Sequence, residues 1–275
     1  MPRLYVLLDF SAYSRVELLM AKKMNEWYGH EIVVVHQMDL PVPSLANHDL
    51  RLKIVYDHQR EISREWFTLR DSIFDKFCMI KFEIIENPLL EYLENNLDAD
   101  GLDIIMMGLK GSGKLKQIFI GSTINKIIEY LNRIVIAVPK SLENFEPKKL
   151  LVSVHPKFEF NSGGFEIFLK YIPKSIHTIE FMTVAREDDS IEEIENFLKK
   201  LSNKEYGNLT SRYIIFKGVD VFTQIKTFIA DKKEYFLVVQ KGGRTFSDKI
   251  FRKFMVNELV FDGSIPMVVL PENKV

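Results

Sequence analysis

The sequence lacks the features that define several special classes of protein. It holds one cysteine among 275 residues, so no internal disulfide can form, and a reducing, cytoplasmic setting is the simplest expectation. No apolar run reaches the ~18 residues of a transmembrane helix, and we expect no signal peptide because residues 1–4 lead directly into an apolar segment. A formal net charge of −1 gives no electrostatic argument for binding nucleic acid or a membrane.

The chain has instead the composition of a globular protein, with 47% apolar residues. Its six histidines show no metal-binding spacing and no cysteine pair accompanies them, so we expect no metal held by side chains. His36 ends an apolar run and is expected to pack or to hydrogen-bond to backbone. Cys78 lies among apolar residues and is expected to be packed.

Hydrophobic periodicity predicts strands alternating with helices, which is typical of a parallel α/β sheet. In the first half the predicted strands are 4–8, 31–36, 79–85, 102–107 and 134–138, and the predicted helices are 12–28, about 50–77, 88–97 and 122–131. In the second half the predicted strands are 150–155, 177–184, 212–216, 235–240 and 266–270, and the predicted helices are 164–171, 191–201, 221–230 and 249–260. We predict one domain over 1–139, a polar linker over 140–149 and a second domain over 150–275.

The two halves align without gaps near their ends, at an offset of 132 residues that places 134–139 on 266–271. This alignment favours an internal duplication. The glycine and hydroxyl residues of the first copy are not kept in the second: Gly108 aligns with Gln240, Gly121 with Lys253, Ser122 with Phe254 and Thr123 with Met255. We predict one competent copy and one degenerate copy.

A glycine-punctuated segment follows the fourth predicted strand. Gly108 and Gly111 are followed, after nine residues, by Gly121, Ser122 and Thr123 at the start of a predicted helix. Glycines let backbone N–H groups approach an anion, and a helix N-terminus adds unpaired donors and a positive dipole end. The segment therefore predicts a phosphate-binding loop.

These residues resemble the universal stress protein family in its tandem form. The glycine spacing is reproduced, the first strand ends in Asp9-Phe10-Ser11 like the family's Asp-x-Ser opening, and the second strand ends in a histidine, His36. The resemblance implies two adenine-nucleotide alpha-hydrolase-like (Rossmann-like) units, each a five-stranded parallel sheet of order 3-2-1-4-5. It also implies that the two domains pair within the chain and leaves a homodimer open.

The resemblance further implies an ATP site in the first domain, with magnesium arriving on the nucleotide. Asp9 would face the adenine or ribose with Leu7 and Leu8 beneath it, and Gln37 would line the base pocket. The ribose and the phosphates would be held by Met107, Gly108, Gly111, Gly121, Ser122 and Thr123. The implied function is ATP-dependent regulation in a stress response. The family's frequent proline two residues before the aspartate is Leu7 here, and the histidine before its second glycine is Lys110.

Several alternatives stay open. The sequence around Gly113 and Lys114 nearly matches the phosphate-loop motif of P-loop NTPases. However, Leu115 stands where that motif requires a hydroxyl for magnesium. Asp9 could cap the first helix, a role that Ser11 could share. The chain could also be a slow ATPase, although no general base is evident, or an interaction scaffold that binds no nucleotide. A pocket for another small ligand in the second domain is a further alternative.

Overall fold

The computed structural model describes residues 2–38, 47–75, 78, 80–108, 122–140, 142, 145–230, 232–241 and 265–273. The strands are β1 Arg3–Leu7, β2 Glu31–Gln37, β3 Ile80–Ile85, β4 Ile104–Gly108, β5 Ile134–Val138, β6 Lys149–Ser153, β7 Thr178–Ala185, β8 Thr210–Lys217, β9 Tyr235–Gln240 and β10 Met267–Leu270. The helices are α1 Ser14–Tyr28, α2 His48–Asp71, α3 Leu89–Asn96, α4 Ser122–Tyr130, α5 Ser162–Leu169, α6 Ile191–Ser202 and α7 Val221–Ile229. The predicted elements that fall in these ranges are confirmed within a few residues, except that the helix predicted over about 50–77 ends at Asp71. The helix predicted over 249–260 lies outside the described residues.

The strands form one sheet of ten, in the order β3-β2-β1-β4-β5-β10-β9-β6-β7-β8. The first five strands have the predicted order 3-2-1-4-5 and are parallel. The second five repeat this order from the other edge, also in parallel. The α/β fold class is therefore confirmed, and the boundaries of the two domains stay a prediction.

The two halves meet at the antiparallel pair β5 and β10. The sequence predicts two separate five-stranded sheets, whereas the structure joins them into a continuous one. Each of the two strands would otherwise expose unpaired backbone groups at the edge of its own unit, and their pairing covers both edges. The pairing of the halves within the chain is thus made by backbone hydrogen bonds as well as by side chains.

Apolar strands place the core on both faces of the sheet. Leu4 and Val6 of β1 lie on the face covered by α1, while Tyr5 and Leu7 lie on the opposite face. All five residues of β5 are buried. Strands buried on both faces give the near-continuous apolar runs seen in the sequence.

The segment 140–149 is less of a free linker than its polar composition predicts. Leu142 and Phe145 are buried, and the Phe145 ring packs edge-on against Phe236 with 5.1 Å between centroids. Lys23 Nζ donates a 2.9 Å hydrogen bond to the Phe145 carbonyl oxygen. Two apolar side chains therefore fix the segment against both halves.

Candidate functional site

The order of the first five strands reverses between β1 and β4. Leu7 at the end of β1 lies opposite Met107 in β4, so Asp9 and Gly108 follow directly at neighbouring carboxyl ends. Ligands of open α/β sheets bind at this kind of switch point. The structure thus brings the predicted residues of β1 and β4 to one edge of the sheet.

The apolar residues that we predict beneath the ligand belong to the hydrophobic cores on the two faces of the sheet. Leu7 and Met107 pack together on one face, and Leu8 packs on the other. All three are buried. They support the edge of the sheet on which Asp9 lies.

Asp9 organises the start of α1. Its Oδ1 accepts a 2.9 Å hydrogen bond from the Ser11 N–H and a 3.4 Å bond from Ser14 Oγ. Ser11 Oγ in turn accepts from the Tyr13 N–H at 3.2 Å. The N-cap of α1 is Tyr13, and within the described residues no side chain makes a capping hydrogen bond there, so the predicted capping by Asp9 or Ser11 is wrong.

The turn between Asp9 and α1 is strained. Phe10 has a φ of 54°, a conformation that non-glycine residues seldom adopt. Its ring packs on His36 at 4.9 Å between centroids, and His36 Nδ1 lies 2.8 Å from the Leu8 carbonyl oxygen. This confirms the expected backbone contact of His36, and burial lowers the pKa of its imidazole. Such strain persists where the surroundings enforce it and is often found at functional sites.

Gln37 lies at the carboxyl end of β2, where its Oε1 accepts a 3.1 Å hydrogen bond from the Leu89 N–H. The side chain therefore satisfies a donor in the first turn of α3. Its predicted contact with a base stays a prediction.

Gly108 lies against α1. A Cβ atom at this position would collide with Glu17 Oε1 and would lie 2.7 Å from Tyr13 Cβ. The missing side chain thus makes room for two residues of the helix. Close packing alone accounts for glycine at this position.

Glu17 is the residue of this site that the sequence analysis missed. It is 1% exposed, and the Gly108 backbone N–H hydrogen-bonds its carboxyl group. Among the described residues, Glu17 Oε2 has no hydrogen-bond partner. A signal was available, because Glu17 falls on the buried stripe of α1 that includes Met20 and Met24.

The electrostatics of Glu17 follow from this burial. Loss of water raises the pKa of the Glu17 carboxyl well above its usual range, and the nearby charge of Asp9 raises it further. The hydrogen bond from Gly108 acts in the opposite direction but does not outweigh burial. The group is therefore a neutral acid over a pH range in which an exposed glutamate is ionised.

The rest of the predicted phosphate loop falls largely outside the described residues. Gly111 and Gly121 lie outside them, as do Lys110, Lys114 and Leu115 of the alternative P-loop match. Ser122 and Thr123 form the first turn of α4, as predicted. A helix N-terminus thus follows the glycine segment in the chain.

The second half has a different arrangement at the same place. Gln240 ends β9 as Gly108 ends β4, in the same register with the neighbouring strand. Gln240 Oε1 accepts from the Asn161 N–H at 2.7 Å, and its Nε2 donates to the Glu159 carbonyl oxygen at 2.7 Å. The Gln240 side chain thus connects the end of β9 to the segment that leads into α5.

His155 lies two residues after β6, as Asp9 lies two residues after β1, and it contacts an ion pair of the second half. His155 Nε2 lies 3.5 Å from Asp189 Oδ2, and Lys157 Nζ lies 2.5 Å from Asp189 Oδ1. The hydrogen bond from Lys157 lowers the pKa of the Asp189 carboxyl to about 2. Asp189 also accepts from the Arg186 N–H at 2.9 Å. The cluster keeps Asp189 as a charged group between β6 and the loop that precedes α6.

The described residues lack two further kinds of feature. Within those ranges no three or more His, Cys, Asp or Glu side chains are grouped so that they could hold a metal ion. None of the helices described is long and apolar enough to cross a bilayer.

Comparison with known proteins identifies the class of fold. A universal stress protein from Archaeoglobus fulgidus superposes with a TM-score of 0.62 at 14% identity, over 98% of this chain and 96% of the other. A functionally unknown protein from Pseudomonas aeruginosa gives 0.51 at 11% identity, over 99% and 93%. A candidate universal stress protein from the same species gives 0.51 at 10% identity, over 99% and 94%.

The chain therefore has the fold of universal stress proteins along almost its whole length, as the resemblance of its motifs predicted. No protein-family model matches the sequence. No curated protein matches it either. At these identities the comparisons define the fold, and the argument for function depends on the site.

Proposed function

We propose that the first half of the chain binds an adenine nucleotide, with ATP as the ligand, and that the protein is a nucleotide-dependent regulator of the universal stress type. The observation that carries this proposal is the meeting of Asp9 and Gly108 at the switch point between β1 and β4. In the sequence, this point is followed by a glycine segment that leads into α4.

The proposed ligand would lie across the strand ends with its phosphates toward α4. Gly111 and Gly121 would present backbone N–H groups, and Ser122 and Thr123 would add donors at the helix N-terminus. Gly108 would support the ribose and the α-phosphate. Asp9 and Gln37 would face the nucleoside, above the buried Leu7, Leu8 and Met107. Magnesium would be bound chiefly by the phosphates, as it often is.

The second half is proposed to present a surface and to bind no nucleotide. Gln240 fills the strand end there, and Lys253, Phe254 and Met255 replace the glycine and hydroxyl residues of the first half. A nucleotide could then act on a partner or on a homodimer, in a cytoplasmic stress response, by binding one conformation more tightly than another. The occupied state would be the signal.

One observation favours a second candidate, an interaction scaffold without nucleotide. Tyr13 and Glu17 occupy the space beside Gly108, so packing explains this glycine without any ligand. In that case the glycine segment would be inherited and unused.

Calorimetric titration of ATP and magnesium into protein freed of nucleotide distinguishes the two candidates. We expect one equivalent per chain. Gly121→Val should weaken binding more than tenfold, a change of about 1.4 kcal/mol or more, because a branched side chain would obstruct the backbone approach to phosphate. Lys253→Val, the matched change in the second half, should leave affinity unchanged.

Each other outcome has a defined meaning, provided that circular dichroism shows folded variants. Two equivalents would show that the second half is also competent. Unchanged affinity in Gly121→Val would remove the glycine segment from the site. No binding to the wild-type protein would favour the scaffold.

A further inference from the structure

Glu17 is a buried carboxylic acid at the edge of the sheet where the nucleotide is proposed to lie. One oxygen lies next to the backbone of Gly108, and the other has no hydrogen-bond partner among the described residues. Burying an acid without full hydrogen bonding is unfavourable, and natural proteins seldom keep such a group without a use. The unpartnered oxygen is itself buried, so a ligand that completes its hydrogen bonding must displace the groups that cover it.

The groups that act on Glu17 come from two strand ends. The carboxylate of Asp9 lies beyond the end of β1, and β4 contributes the uncharged backbone of Gly108. Tyr13, just before α1, lies beside Gly108. Within the described residues, the charged group that acts on Glu17 is thus another acid. A third negative group, the phosphate of a nucleotide, would be repelled by both if Glu17 were ionised.

We propose that Glu17 determines which ligand group can lie over the ends of β1 and β4, and that a phosphate binds there only together with a proton on the Glu17 carboxyl. The inference rests on the proposed nucleotide site and adds to it a residue that selects among ligands. The protonated carboxyl would donate its O–H to a phosphate oxygen. The ionised carboxylate would instead accept from a ribose hydroxyl, so adenosine would not require the proton.

The test is the pH dependence of ATP affinity in the whole chain. For the wild-type protein, we expect the affinity to fall by up to tenfold per pH unit as the pH rises above the raised pKa of Glu17, because one proton is then taken up on binding. Glu17→Gln, a neutral side chain of the same shape, should bind ATP without this loss. Glu94→Gln, on the exposed surface of α3, should behave as the wild-type protein.

A second measurement needs no variant. At a pH above the raised pKa of Glu17, titration of wild-type protein in two buffers of different ionisation enthalpy should show uptake of close to one proton with ATP and of none with adenosine. Equal pH dependence in the wild-type protein and Glu17→Gln, with ATP bound by both, would overturn the role of Glu17 and leave the nucleotide site intact. Absence of ATP binding to either protein at every pH tested would overturn both proposals.

Protein stability gives an independent readout of the buried acid. Because burial raises the pKa of Glu17 in the folded state, the folded protein holds a proton that the unfolded chain releases above its ordinary value of 4.5. The urea midpoint should therefore fall as the pH rises from that value through the raised pKa. In Glu17→Gln this slope should be lost, and an unchanged slope would contradict a protonated Glu17.

Discussion

The two halves of the sheet have the same strand order. At the end of the fourth strand, the side chain comes from the helix in one half and from the strand in the other. In the first half, α1 sends Glu17 to the backbone of a glycine at the end of β4. In the second half, β9 ends in Gln240, whose side chain reaches the start of α5. The same space between strand and helix is filled by a polar side chain in both cases.

The difference lies in how well each side chain is satisfied. Gln240 is a neutral amide with partners at both ends, whereas Glu17 is an acid with one oxygen unpartnered within the described residues. The first half also has Phe10 at a φ of 54° beside Asp9. Unfavourable local features of this kind are expected where a site has a function, so the comparison supports the proposal of a ligand site in the first half.

The largest effect we predict concerns Glu180, a buried acidic residue of the second half that has no acidic counterpart at the matching position of the first half. Glu180 is fully buried in β7, paired with Arg212 and with the Tyr235 hydroxyl, and the matching register position in β2 is Val33. Arg212→Met would leave the Glu180 charge without its cation, so we expect a loss of about 3 kcal/mol in the free energy of unfolding. Urea denaturation measures this loss.

Arg51→Met on the exposed surface of α2 is the control and should change stability by less than about 0.5 kcal/mol. Restoring part of the loss with Glu180→Gln would attribute it to the unpaired charge. If Arg212→Met is as stable as the control, the Tyr235 hydroxyl alone suffices to hold Glu180. The buried glutamate would then not distinguish the two halves in stability.

A smaller effect is expected at the strand end of the first half. Gly108→Ala would force a methyl group against Glu17 and Tyr13, and overpacking of this kind costs about 2 kcal/mol. In a Glu17→Ala background part of that loss should disappear, with a coupling of at least about 0.5 kcal/mol between the two sites. Chemical denaturation of the four proteins completes the cycle.

Gly163→Ala in α5 is the matched control from the second half. The nearest atom to a Cβ there is Asn161 Oδ1 at 3.7 Å, an ordinary contact, so alanine should be neutral or should stabilise the helix by up to about 1 kcal/mol. An equally neutral Gly108→Ala would show that α1 can move away from β4. The two strand ends would then not differ in their contribution to the free energy of unfolding.

Part of this architecture could be predicted from local sequence. Hydrophobic periodicity in the sequence predicts strands such as 134–138 and helices with a buried stripe. The family resemblance supplied the strand order. The joining of the halves through β5 and β10 could not be predicted, because it depends on which strand edges meet in space. The packing of Phe145 was not predicted, because isolated apolar side chains in a polar segment show no periodicity.

The candidate site was predictable in position but not in chemistry. Asp9, Met107 and Gly108 lie where the strand ends predict them. Glu17 was missed because an acid in a helix is usually solvated, and its burial depends on a glycine ninety-one positions later in the chain. The buried stripe of α1 includes the position of Glu17, but its contact with Gly108 is visible only when both elements are in place.

The smallest effect we predict tests whether Gln240 alone closes the second half. Gln240→Ala removes one acceptor from Asn161 and one donor from Glu159, with an expected loss of about 1 kcal/mol. Gln59→Ala on α2 is the control for loss of an amide side chain. ATP stoichiometry should stay at one equivalent, because Lys253, Phe254 and Met255 still replace the phosphate-binding residues. A second equivalent in calorimetry would show that one side chain on β9 separates the two halves in function, and that the later replacements are tolerated.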